Sequence, residues 1–275
     1  MFFGFVRRFP RAGTLGFVLL AGVVAPAMAA DLTPHRATYE MKLSPVKRSQ
    51  NIVDVRGLMV TETIDACDAW ETTQRIQLSF LRSDAEEFTT DSSFASYESK
   101  DGLSLQFSVR NLQNGEVEEE IRGKATLEGV GSKGEARFTL PEQRVYSLPP
   151  GTLFPTTHIS VLIETARAGE KLLGVRVFDG SRMDGAFQVN AVIGRPPRSA
   201  AGPLPRGDVS LLRNQTSWLI RLAFFPPGQT GAQAEYEIGA EILANGVARS
   251  MTLDYGDFAI DARLHQIEAL PRPRC

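Results

Sequence analysis

The chain has 275 residues, a formal net charge of −2, 23% charged and 43% hydrophobic residues, two cysteines and three histidines. That mild acidity argues against a nucleic-acid binder, which would show a basic surface. Two cysteines and three scattered histidines lack the spacing of a zinc site, and the length suits one large domain or two small ones.

Met1–Ala29 reads as a secretory signal peptide. Arg7, Arg8 and Arg11 form a positive start, Thr14–Val24 a short apolar run, and Ala27-Met28-Ala29 a small-x-small cleavage site. Without these residues the chain is 246 long with a formal charge of −5. The expected mature unit is residues 30–275, one domain in the periplasm. None of its apolar stretches is long enough for a transmembrane helix. Export to an oxidising compartment makes a disulfide the simplest reading of Cys67 and Cys275, with free thiols or an intermolecular bridge as alternatives.

The mature chain then reads mostly as strands. In His35–Leu43, Ala37, Tyr39, Met41 and Leu43 alternate with polar partners, the pattern of a half-buried antiparallel strand. Ile52–Thr63 follows, with Gly57 expected to mark a bulge. Cys67–Trp70 is a connection anchored by the Trp70 ring. Glu71–Leu81, Phe88–Tyr97 and Leu103–Arg110 continue the series, and Asn114-Gly115 signals a tight hairpin. The acids of Glu116–Ile121 read as a solvated strand face, balanced by Arg110, Arg122 and Lys124. Lys124–Glu128 and Glu135–Leu140 are expected as two further short strands.

Leu148–Gly180 breaks the pattern. Pro155 opens a helix whose first turn Thr156 or Thr157 can cap by a hydroxyl. Ile159, Leu162, Ile163 and Ala166 form its apolar face, and Gly169 ends it. Leu172–Phe178 and Gly185–Ile193 are strands, and Arg195–Pro205 is a long exposed hairpin loop. Trp218–Phe225, Glu235–Leu243, Val247–Tyr255 and Phe258–Ile267 complete the sheet. The expected class is all-β: 12–14 antiparallel strands in a curved, spiral-like or half-open barrel wrapped on one central helix, without βαβ alternation.

Catalytic patterns are sparse. G-x-S-x-G, H-E-x-x-H and a phosphate loop are missing. His158, in the first helical turn, reads as a packing residue rather than a general base. Asp254, Asp257 and Asp261 flank a turn, where acids are usually solvated, and no cofactor or metal is expected.

Several segments together resemble one family. They are Pro34-His35-Arg36-Ala37-x-Tyr39, Cys67-Asp68-x-Trp70, and Leu148-Pro149-x-Gly151-Thr152-x-Phe154-Pro155-Thr156-x-His158. Phe178-Asp179-Gly180, Asn245-Gly246-Val247, Asp254-Tyr255-Gly256-Asp257-Phe258 and Cys275 complete the set. The chain is similar here to the EipB-type cell-envelope-integrity proteins of Gram-negative bacteria. The resemblance implies a periplasmic, non-enzymatic protein with a spiral-like, barrel-related fold that maintains the envelope under stress. It also implies a Cys67–Cys275 disulfide and a periplasmic tetratricopeptide-repeat protein as partner. Two other functions are weighed from the residues: binding of a lipid or lipoprotein acyl chain on a sheet curved round the helix, and envelope-polymer chemistry by Asp254 and Asp257.

Overall fold

Runs that alternate inward and outward side chains build most of this protein. The computed structural model describes residues 31–47, 49, 51–196, 204–228 and 233–275, and in these residues sixteen strands join in one sheet. The expected signal peptide lies outside the described residues.

The first half is an antiparallel meander. It runs β1 (His35–Leu43), β2 (Ile52–Asp65), β3 (Ala69–Arg82), β4 (Glu87–Ser99), β5 (Ser104–Gln113), β6 (Glu116–Leu127), β7 (Gly134–Leu140) and β8 (Arg144–Leu148). Each strand pairs with the next. The β5–β6 turn has Asn114 at φ 51° and Gly115 at φ 86°. Two left-handed residues give the twist a two-residue hairpin needs.

The second half begins with β9 (Thr152–Leu153), α1 (Pro155–Arg167) and β10 (Leu172–Val177). β9 and β10 are parallel, so α1 is the crossover of one small βαβ unit. The expectation of no such unit is thereby corrected; a two-residue strand leaves no periodicity to read. β11 (Phe187–Gly194), β12 (Arg206–Gly207), β13 (Ser217–Phe225), β14 (Tyr236–Leu243), β15 (Ala248–Asp254) and β16 (Ala259–Ala269) follow. β10, β11, β13, β14, β15 and β16 pair in that order, antiparallel. β16 then pairs with β1 and joins the halves.

The barrel-like sheet is nearly closed, with β8 and β9 at its two ends. Side chains bridge the seam. Phe178 and Ala186, flanking the β10–β11 connection, pack with Phe107, Phe138 and Leu148 of the first half. The Phe107 and Phe138 rings lie edge-on, their centroids 5.2 Å apart, and Phe178 stands 5.5 Å from Phe107. Tyr146 donates its hydroxyl to the Met183 carbonyl at 2.6 Å. A Cβ at Gly180 would lie 2.3 Å from the Phe107 ring, so only glycine lets this loop approach.

On the inner face of the second half, Leu162, Ile163 and Ala166 of α1 pack against Val189, Ile193, Ile220 and Ile242. Burying each leucine or isoleucine contributes about 1.5–3 kcal/mol. Gly169, at φ 83°, ends the helix as expected.

Three local readings change. β6 is one strand where two were expected: Gly123 makes room for Phe107, 2.5 Å from where a Cβ would stand, and the β6–β7 register shifts there without ending the strand. Gly57 stays in register; a Cβ there would lie 1.9 Å from the Gln77 carbonyl oxygen, so close backbone approach explains it and no bulge forms. β8 was not anticipated. Of the expected Arg195–Pro205 loop, residues 197–203 lie outside the described residues; after it, Arg206 and Gly207 pair with β16 and Leu212 is buried against Leu243 and Val247.

Candidate functional site

Leu148–His158 carries the chain from the last strand of one half to the helix of the other. Leu148 and Phe154 are buried in the cluster that bridges the seam. Between them, Gly151 at φ 77° donates its N–H to the Gly131 carbonyl at 3.1 Å. Thr152 is buried and donates its hydroxyl to the Pro149 carbonyl at 2.7 Å. Pro155 occupies the first helical turn, where its fixed φ suits the helix and its missing N–H costs nothing.

The helix start departs from expectation. The residue before it, Phe154, has no capping side chain. The cap comes from across the barrel, from Glu98 on β4. Glu98 Oε2 accepts from the Thr156 N–H at 2.6 Å. Its Oε1 accepts from the Thr157 N–H at 2.7 Å and the Thr157 hydroxyl at 2.5 Å. Thr157 therefore donates to an imported carboxylate, which also complements the helix dipole. Burial pushes the Glu98 pKa up against these donors. Glu98 was missed from sequence; an acid in the inward series Phe94, Ser96, Glu98 was the available signal.

His158 is buried on α1, and its Nε2 is sealed with no hydrogen-bond partner among the described residues. Burial lowers its pKa to about 4, so the ring is neutral near pH 7. A sealed nitrogen has no path to a substrate proton, which leaves His158 as a packing residue.

Beside the helix start lies a cavity of about 140 Å³. Leu32, Pro155, Ile159 and Gly246 supply apolar wall, and His35, Thr63, Thr72, Thr156 and Asn245 supply uncharged polar groups. His35 Nδ1 lies 2.7 Å from the Thr33 carbonyl, so that nitrogen carries the proton. Burial holds the His35 pKa below its ordinary value. Leu32 is held over Gly246. The C-terminal tail runs alongside: Leu270 N–H donates to the Pro34 carbonyl, and Arg272 reaches Asp31 at 2.8 Å and the Leu32 carbonyl at 3.1 Å. The tail ends at Cys275, which the structure joins to Cys67 in the β2–β3 turn, with Cα atoms 5.9 Å apart. Next to that turn, the Lys100 ammonium sits 5.1 Å from the centroid of the half-buried Trp70 ring.

The turn acids do not gather. Asp254 Oδ1 accepts from Lys47 at 2.6 Å and from the Gly256 N–H at 2.9 Å. Burial pushes the Asp254 pKa up, and these donors more than offset it, holding the carboxyl below its usual range. Asp261 accepts from Ser44 at 3.1 Å and Thr252 at 2.8 Å. Tyr255 is exposed and rests near the Phe258 ring. Among the described residues no three His, Cys, Asp or Glu side chains converge enough to hold a metal ion. Ser44 and Lys47 have the S-x-x-K spacing of some acyl-transfer enzymes. Their ends are tied to different acids, Asp261 and Asp254, and no helix places them on one face.

Comparison with known proteins agrees with this architecture. The family described as EipB-like matches residues 26–271. The chain is 28% identical over 254 residues to the cell envelope integrity protein EipB of Brucella abortus (strain 2308), spanning 90% of this chain and 88% of that one. A crystal structure of a β-barrel-like protein of a domain of unknown function, from Brucella abortus, is similar with a TM-score of 0.77 and 27% identity, covering 88% of this chain and 100% of that one.

Proposed function

The chain belongs to the EipB-like family, and from that membership we propose that it supports cell envelope integrity as a non-catalytic periplasmic protein that works by holding a protein partner. One observation supports this most: two of the three groups nearest to a catalytic reading, Asp254 and His158, are taken up by the fold, as is the buried Glu98. Glu98 holds the start of α1, Asp254 holds Lys47, and His158 is sealed. A periplasmic tetratricopeptide-repeat protein is the partner proposed. The test is complementation of a deletion strain under envelope stress by His158→Gln, Asp254→Ala and Asp257→Ala, with crosslinked capture from periplasm alongside. Survival at normal protein levels, with a repeat protein captured, is the expected result. Loss of survival by a variant present at normal levels and with an unchanged melting curve overturns the non-catalytic reading.

A further inference from the structure

α1 meets the inner face of the first half only at its start, through Glu98 and the cavity that Thr63 and Thr72 line, and among the described residues no other helix lies on that face. Register identifies the inward positions there. Thr63 stands opposite Thr72, and Thr72 opposite Ser96. The next row is Thr61, Gln74, Phe94 and Val109; the one after is Met59, Ile76, Ser92 and Asn111. In a small closed barrel such mid-strand positions are filled and sealed. Here Thr61, Thr63, Thr72, Gln74, Ile76, Ser92, Phe94 and Asn111 are only half-buried, while Met59, Ser96 and Val109 in the same rows are buried. Toward the strand ends Val55, Phe80, Leu105 and Phe107 are buried. Solvent therefore enters the middle of the inner face, a trough of three rows that spans about 13 Å along the strands. Its upper end is the cavity at the start of α1, which Thr63 and Thr72 also line.

The three rows hold no cation, and the one carboxylate that borders them, Glu119 opposite Asn111, accepts from Asn111 Nδ2 at 2.9 Å. Glu62, Arg75 and Asp91 project from the outer face, where they pair with Arg36 and with each other. The two inward acids at the helix end are engaged, Asp65 with Lys100 and Glu98 with α1. What remains is hydroxyl and amide groups interleaved with the Phe94 ring and Ile76. Ser92 donates to Asn111 Oδ1 at 2.6 Å, and Gln74 has only the weak acceptor Met59 Sδ at 3.4 Å.

We propose that this trough binds an uncharged, hydrogen-bonding chain: a neutral glycan segment whose hydroxyls and amides pair with Thr61, Gln74, Ser92 and Asn111 while a sugar face rests on Phe94. An acyl chain fits the same space poorly. It would desolvate four polar side chains without replacing their hydrogen bonds, and an anionic head group would meet no cation inside. The site is independent of the protein partner proposed above, and either can fail alone.

The probe is the neutral tetramer of N-acetylglucosamine, titrated into the full mature protein and followed by amide NMR and calorimetry. The expected result is saturable binding, with shifts concentrated on β2–β5 around Gln74 and Phe94. Gln74→Leu and Ser92→Ala should each weaken binding by roughly tenfold, whereas Gln77→Leu on the outer face should leave it unchanged. Lack of shifts at millimolar tetramer overturns the proposal. So does unchanged affinity in both inner-face variants, or tighter binding of a neutral monoacylglycerol at the same residues.

Discussion

Between β9 and β16 the inner face is apolar and α1 lies on it, with Leu162, Ile163 and Ile220 fully buried. Between β2 and β5 the same kind of sheet turns Thr61, Gln74, Ser92 and Asn111 inward, and solvent reaches all four. Outside the α1 crossover and the β11–β13 excursion, both halves pair their strands antiparallel in one sheet, so their ladders demand little that is different. The contrast lies in the side chains, and it separates a region that stores stability from one left open for a ligand. The link between the regions is Glu98, a strand residue of the open half that caps the helix of the closed one.

The largest test of that division removes the covalent link between the halves. Cys67 and Cys275 lie 208 residues apart, and closing so long a loop stabilises by up to about 5 kcal/mol in the chain-entropy description. Cys275→Ala should lower the melting temperature and expose the tail to protease while leaving the circular-dichroism spectrum unchanged. A thiol titration of the unfolded wild type should find no free thiol.

Next, Leu162→Ala in the covered half should cost about 2–5 kcal/mol in denaturant unfolding, because it opens a cavity under the helix. Acid should act through the same helix. The folded pKa of His158 is about 4 against an ordinary 6.5, so between those values the unfolded chain binds the extra proton. Stability should therefore fall as pH drops from 6.5 to 4, by at most about 3 kcal/mol from this residue. Glu98 acts oppositely, since burial raises its pKa and the folded state takes up its proton first as pH falls. Subtracting the pH profile of His158→Gln from that of the wild type isolates the histidine. Glu98→Ala strands two helix N–H groups and should cost about 1–3 kcal/mol. At the small end, Ile76→Ala in the open trough should cost about 1 kcal/mol, because little packing is lost at a half-buried site. Equal losses for Leu162→Ala and Ile76→Ala would erase the distinction between the halves.

Much of this was legible from local pattern. β1 spans the predicted residues, α1 starts at Pro155 and stops before Gly169, and the Asn114-Gly115 hairpin forms. Each depends on contacts within a few residues, which periodicity, turn chemistry and a terminating glycine report directly. Short elements escaped: β8, β9 and β12 are too brief to show a period.

The helix cap shows the boundary clearly. Thr156 and Thr157 announced a helix start correctly, but the acceptor is Glu98, 58 residues before Thr156. Sequence alone determined the strand alternation, the helix and its apolar stripe, and the family likeness, because these are properties of neighbours along the chain. Tertiary structure alone decided that β16 pairs with β1, that Phe107 and Phe178 meet across the seam, that Glu98 caps α1, and that the neutral residues of β2–β5 face a common trough. Those depend on register and closure, and register is set by the sum of many weak long-range contacts rather than by any one residue.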